Sequence, residues 1–401
     1  MHTLYVELTI PRVLATRALA RLWRGAYFSR VSPLQEAQTP TPPLPSPHSV
    51  RVRNRLSLIC GSDLHLAFAE GDLRVAPGIL PGNQRIYLGH ELCGEVVEVG
   101  PAVTRVRPGD RVALRYFNNT CATQGIIPAC RHCQDGNYCL CEHMSDSTQP
   151  PSIGGGWSDE FIAHEDQLFA APEQLTDEQI ASIEPAAVGV RAVLQARLQP
   201  GDRATVLGCG IIGLMVIQAL KALYPDVHVT ALARYPFQGD AARRLGADEV
   251  RVRQDGYEVT AEITGARLYR GKMGGAMLLG GFDVVFDCVG NARTITDSLR
   301  WARAGGQVVL VGIQFLPLTV DLTPVWYQEV QLLGTMSHGS EVWQGERIGT
   351  FELTARLMAE GKITTEGLIT HRFPLSRWRE AIMTATDKRR HRSIKVAFTF
   401  E

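Results

Sequence analysis

Between residues 186 and 330, short buried strands alternate with helices, and this alternation restricts the fold more than any other feature of the chain. RATVLGCG reads as a buried strand, IIGLMVIQALKAL as an apolar helix, VHVTALA as a second strand and GDAARRLGA as a second helix. FDVVFDCVG and GQVVLVGI follow as further buried strands, with the helix TITDSLRWARA between them. Strands joined through helices run the same way, so the pattern predicts a parallel sheet in an α/β fold. At the first strand–helix junction stands Gly208-x-Gly210-x-x-Gly213. Without side chains there, the backbone can turn tightly and approach a dinucleotide pyrophosphate seated on the helix N-terminus.

Cofactor choice turns on the end of the second strand. An acidic residue there would hold the ribose 2′-hydroxyl of NAD(H). Here the residues are Ala233, Arg234 and Tyr235. A small residue removes repulsion against a 2′-phosphate, and a guanidinium pairs with it bidentately. The pattern therefore favours NADP(H) over NAD(H), the alternative being a solvated Arg234 and use of either cofactor.

The first half of the chain reads differently. SVRVRNRLSL, GEVVEVG and PGDRVAL are short strands punctuated by Gly and Pro. Ahead of them, LATRALARLWRGAYFSR (14–30) is Arg-rich without acids. It reads as an amphipathic helix inserted into the first β-unit, a transit peptide being the other reading. TPTPPLPSPHS (39–49) is a Pro-rich connector, and 266–281 is an irregular insertion. Beyond residue 331, FELTARLMAEG and SRWREAIMTA read as helices and SIKVAFTF as a last strand. Lys+Arg and Asp+Glu both number 41, so net charge argues for neither nucleic acid nor an acidic membrane as partner. No apolar run is long enough to span a bilayer. Nine cysteines, five of them clustered in 121–141, suggest metal or redox use in a reducing, cytoplasmic setting.

Three segments carry metal-ligand chemistry: Cys60-Gly61-Ser62-Asp63-Leu64-His65, Gly89-His90-Glu91, and Glu184 within IEPAAVG. Three protein ligands with an open fourth position are what a catalytic zinc needs. CGSDLH, GHE, the EPxxVG segment, GxGxxG and THRFPL, in that order, resemble the zinc-dependent medium-chain dehydrogenase/reductase family of alcohol, polyol and threonine dehydrogenases. The resemblance runs from about residue 50 to the C-terminus. It implies a GroES-like β-rich catalytic domain over 1–185, completed by 331–401, and a Rossmann nucleotide-binding domain over 186–330.

By the same resemblance, Cys60 and His90 bind a catalytic zinc, Glu184 occupies the third ligand position, and Glu91 ligates or tunes the metal from the outer shell. Zinc then acts as a Lewis acid on an alcohol or polyol oxygen while hydride passes to the nicotinamide. Ser62 takes the alcohol proton, which travels through the nicotinamide ribose to His65 and solvent, and Asp63 orients the loop. A zinc-free enoyl or quinone reductase and a non-catalytic NADP(H)-binding scaffold are the rival readings. Family members commonly form dimers or tetramers through the nucleotide domain, so a homo-oligomer is expected, with GQVVLVGI and its neighbours supplying an edge strand. The substrate pocket is expected to involve Leu66, residues 116–119, Trp157 and Thr335–His338.

Residues 121–141 hold five cysteines. The family's structural-zinc pattern, Cys-x2-Cys-x2-Cys-x7-Cys, matches Cys130, Cys133 and Cys141, but its first position falls on Ile127. Cys121 can supply the missing thiolate if GIIPA loops it back. Cys139 then remains over, and a lobe without zinc, or one rearranged around Cys139, is the alternative.

Overall fold

The computed structural model describes residues 1–74, 85–116, 118–147 and 152–400. The chain divides into two compact units, one of Met1–Glu184 with Thr364–Glu401 and one of Pro185–Ile363. The return to the first unit thus begins at Thr364 rather than at 331, and residues 331–363 belong with the second.

The first unit is built on a seven-stranded sheet. Its strands run in the order Ile369–Pro374, Lys395–Thr399, Ser49–Leu58, Glu91–Val99, Arg111–Leu114 and Leu168–Ala170, and Glu160–His164 also pairs with Ser49–Leu58. Only the first pair in that order is parallel. β-Branched residues fill one core here, with Val50, Val52, Val96 and Val112 packed on Leu92 and Phe161. A second core joins Leu4, Val6, Leu88, Trp157, Trp378 and Phe398.

The inserted N-terminal helix starts earlier than expected, at Ile10, and ends at Ala20, followed by a 3-10 turn over Arg24–Phe28. Pro11 stands in its first turn, where a missing N–H costs nothing. Val13 and Thr16 face inward, and Arg17 donates to the carbonyls of Ala69 and Gly71 at 2.6–2.9 Å. The Arg-rich stretch is therefore an integral part of this unit.

The second unit carries a six-stranded sheet in the order Glu249–Val252, His228–Ala233, Arg203–Leu207, Phe282–Asp287, Ala302–Leu310, Gln331–Gly334. Every pairing is parallel. Numbered along the chain this is the 3-2-1-4-5-6 order of a doubly wound dinucleotide fold. The GQVVL of GQVVLVGI lies inside the sheet, in Ala302–Leu310, and Gln331–Gly334 forms the edge. The stretch 266–281 is not irregular. It forms an antiparallel hairpin of Arg267–Arg270 with Ala276–Leu279, whose Leu268 and Leu278 pack into the sheet's core. Glycines at its turn and exits, such as Gly274 and Gly280, adopt positive φ that other residues resist, which blurs the strand signal.

Candidate active site

Strand register gathers the first group of chemical residues. Leu58 pairs with Glu91 on one side and Ala397 on the other, so Cys60, Glu91 and Lys395 converge at one end of the sheet. Cys60 caps the helix Gly61–Ala67. The buried Asp63 carboxylate accepts the Cys60 N–H at 3.2 Å through Oδ2 and the Gly89 N–H at 3.0 Å through Oδ1. His90 Nδ1 lies 3.5 Å from the same Oδ1. One carboxylate thus ties together the two segments that carry Cys60 and His90, making Asp63 a positioning residue. Gly89 adopts φ +85° with Trp157 so close that a Cβ would stand 2.5 Å from its ring, so only glycine fits before His90.

One ligand atom each from Cys60, His90 and Glu91 lies within 4.8 Å of the others. Thiolate, imidazole and carboxylate are a donor set suited to zinc. Burial lowers the pKa of His90, but the charges of Asp63 and Cys60 raise it well above the usual imidazole value, so the surroundings favour positive charge. Glu91 is fully buried, and apart from the Lys395 ammonium its carboxylate oxygens have no hydrogen-bond partner among the described residues. Lys395 forms an ion pair with its Oε2. A buried carboxylate with so much acceptor capacity unfilled fits a metal ion as a further partner. Glu184, the expected third ligand, is buried in the first turn of Ile183–Gln195, outside this group, and its charge acts on Lys395.

Ser62 and His65 occupy the same short helix as Asp63, both half-buried. His65 Nδ1 meets Glu70 Oε2 at 2.5 Å. Glu70 and Lys395 carry no motif of their own, and folding alone reveals them. Trp157 is a core anchor: it is fully buried, edge-on to Phe398 at 5.3 Å between ring centroids. Leu66 also packs against that core. Tyr116 is buried against Tyr138, at 4.9 Å between centroids, while Phe117 lies outside the described residues. In the second unit, Arg191 holds the 336–338 loop by donating to the carbonyls of Met336 and His338 at 2.7 and 2.8 Å.

The glycine fingerprint has separable roles. Gly208 turns at φ +93°, where a Cβ would strike Val289 at 2.5 Å. A Cβ on Gly213 would meet the Gly208 carbonyl oxygen at 2.0 Å, so this glycine lets helix Ile211–Leu223 sit against its strand. Gly210 caps that helix and faces open space, a cradle suited to a pyrophosphate. Past the second strand, Ala233 is buried, Arg234 exposed and Tyr235 half-buried. The Arg234 and Arg253 guanidiniums both lie over the Tyr235 ring, at 5.4 and 5.8 Å from its centroid. Arg253 Nε donates to the Arg234 carbonyl at 2.9 Å. This second cation was hidden in the sequence because it follows the third strand.

In the cysteine lobe, Cys121, Cys130, Cys133 and Cys141 form a buried group with sulfurs within 4.8 Å of one another. The chain between Cys121 and Cys130 turns back through Gly125 at φ +64°, so Cys121 replaces the absent donor at Ile127. The Cys130 N–H points at Cys121 Sγ at 3.3 Å, and the His143 N–H at Cys141 Sγ at 3.4 Å. Burial pushes the Cys130 thiol up, but the N–H groups of Glu142 and Cys133 and the neighbouring thiols bring it down to about 6. Cys139 is buried in the turn Tyr138–Leu140, outside the group.

Residues 46–173 match the alcohol dehydrogenase GroES-like domain family, and residues 212–349 match the zinc-binding dehydrogenase family. A sorbitol dehydrogenase of Arabidopsis thaliana is 33% identical, covering 88% of this chain and 90% of its own length. An L-idonate 5-dehydrogenase of Vitis vinifera is 32% identical over 88% of this chain and 89% of its own. The crystal structure of a 2R,3R-butanediol dehydrogenase from Bacillus subtilis shares the fold with a TM-score of 0.71 at 26% identity, covering 92% of this chain and 96% of that one. Sequence order, sheet topology and these similarities agree: the chain belongs to the zinc-dependent medium-chain alcohol and polyol dehydrogenases, which are NAD(P)-dependent enzymes.

Proposed function

We propose that this enzyme oxidises a hydroxyl of a polyol, and reduces the corresponding carbonyl in reverse, with NADP(H) in preference to NAD(H). The carrying observation is the convergence of Cys60, His90 and Glu91 beside Asp63. Cys60 and His90 hold a zinc ion, with Glu91 and Glu184 as the carboxylates that complete or tune its shell. When bound, zinc supplies Lewis-acid polarisation of the substrate oxygen. Asp63 keeps the Cys60 and His90 segments at fixed spacing. Ser62 accepts the hydroxyl proton and passes it on, a task suited to a group that both accepts and donates. His65, held through Nδ1 by Glu70, releases the proton to solvent.

The arginines around Tyr235 support the cofactor preference, because two guanidiniums suit a 2′-phosphate. The sorbitol and L-idonate relatives support a hydroxyl-rich substrate. Cys121, Cys130, Cys133 and Cys141 hold a second, structural zinc, since a closed tetrathiolate leaves no position for substrate. A homo-oligomer forms through the second unit. Its edge strand Gln331–Gly334 has no charged residue and is flanked by exposed Trp326 and Tyr327, whereas the opposite edge, Glu249–Val252, carries a paired Glu249 and Arg251. Cysteines clustered for metal binding suit a reducing, cytoplasmic setting. Among the described residues no helix is long and apolar enough to cross a membrane.

The test is nicotinamide absorbance on zinc-loaded protein with a polyol panel, run with NADP+ and NAD+, before and after a chelator. Cys60→Ala should abolish turnover and lower bound zinc. Full activity in that variant sinks the site assignment.

A further inference from the structure

Neutrality of the whole chain conceals a local block of charge. Residues 8–35 contain Arg12, Arg17, Arg21, Arg24 and Arg30 and no acidic residue. Arg12 pairs with Glu7, and Arg17 is anchored on the Ala69 and Gly71 carbonyls. Arg21, Arg24 and Arg30 are exposed, with no carboxylate partner among the described residues. Interleaved with them is an exposed apolar surface. Ile10, Leu14 and Ala18 follow one exposed i, i+4 row of helix Ile10–Ala20, beside the buried Val13 and Thr16. Leu22 is 89% exposed and Trp23 61% exposed just past the helix end. The Trp23 indole lies over Gly25, where a Cβ would stand 2.3 Å from the ring, so the backbone supports it in that outward pose.

We propose that this N-terminal insertion docks the enzyme onto an anionic lipid surface. Trp and Leu set among unpaired arginines on a folded platform match the boundary between acyl chains and negative headgroups. A second copy of the same face is disfavoured, because it would bring like charges together. The docking is independent of the catalytic reading: none of these side chains belongs to the metal or nucleotide sites.

The experiment is co-sedimentation of the full-length, zinc-loaded enzyme with phosphatidylcholine vesicles, with and without phosphatidylserine, over a range of salt. Binding should require phosphatidylserine and weaken as salt rises. Joint replacement Arg21→Gln, Arg24→Gln and Arg30→Gln should cut partitioning about 100-fold. Leu22→Asp with Trp23→Ser should abolish it. Both variants should retain the parent's turnover, which also reports that they fold. Absence of binding to phosphatidylserine vesicles at low salt overturns the proposal, as does binding that neither variant changes. Light scattering adds a further arm: a parent that is a larger oligomer than the Leu22→Asp, Trp23→Ser variant assigns the patch to a second copy and overturns it too.

Discussion

Lys395 offers a quantitative test of the metal-site electrostatics. Its ammonium pairs with Glu91 where the two side chains are only 3% and 1% exposed. Burial pushes the Lys395 pKa down, but the charges of Glu91 and Cys60 more than reverse this, so the site holds the lysine as an ammonium. An exposed ion pair contributes at most about 1 kcal/mol. Removing one partner of a buried pair costs about 3–5 kcal/mol, because the remaining charge is stranded away from water. Apart from Lys395, Glu91 has no hydrogen-bond partner among the described residues to compensate. Lys395→Met, similar in length and apolar, should therefore destabilise the zinc-free first unit by about 3–5 kcal/mol. Zinc at Cys60 and His90 gives Glu91 another cation, so the zinc-loaded variant should recover much of the loss. Adding Glu91→Gln to Lys395→Met should also relieve it by removing the stranded charge. The assay is urea unfolding followed by tryptophan fluorescence, with Trp157 and Trp378 in this unit as reporters, in chelator and in zinc. A zinc-free Lys395→Met protein within about 1 kcal/mol of the parent refutes the reasoning. So does a double variant as unstable as the single one.

Three further outcomes can be checked directly. Cys121→Ser should reduce bound zinc from two ions per chain to one by elemental analysis, while Cys139→Ser leaves it unchanged. Arg234→Ala and Arg253→Ala should each raise KM for NADP+ far more than for NAD+, by roughly tenfold for a lost charge-assisted contact of about 1.5 kcal/mol; equal changes for both cofactors would show that neither residue reads the 2′-phosphate. Glu165 is pushed up by burial, but His48 and the N–H groups of Thr104 and Arg105 bring it down to about 2. A depressed carboxyl pKa gives stability above the unfolded value near 4.3 that is lost as pH falls towards about 2, so the parent should lose up to about 3 kcal/mol more than Glu165→Gln across that window. Urea midpoints at neutral and acid pH measure the difference.

The sequence by itself determined the features that depend on local order. Short apolar strands alternating with helices marked the parallel-sheet unit. Gly208, Gly210 and Gly213 marked the nucleotide turn, because tight backbone geometry excludes other residues. Adjacency along the chain made Cys60, Ser62, Asp63 and His65 one cluster, and a nearby run of thiols pointed to Cys121, Cys130, Cys133 and Cys141. Tertiary structure alone decided what depends on contacts between distant segments. Strand register at Leu58 set Glu91 and Lys395 against each other, a pairing no local pattern records. Sheet order placed Gln331–Gly334 in the second unit and moved the edge away from GQVVLVGI. Folding put Glu70 on His65, Arg253 beside Arg234, and Trp157 in a core rather than a pocket. The physical reason is common to all of these. Periodicity and backbone strain act over a few residues and are written locally, whereas charge pairing and packing act across space, between side chains that only the folded chain brings within reach.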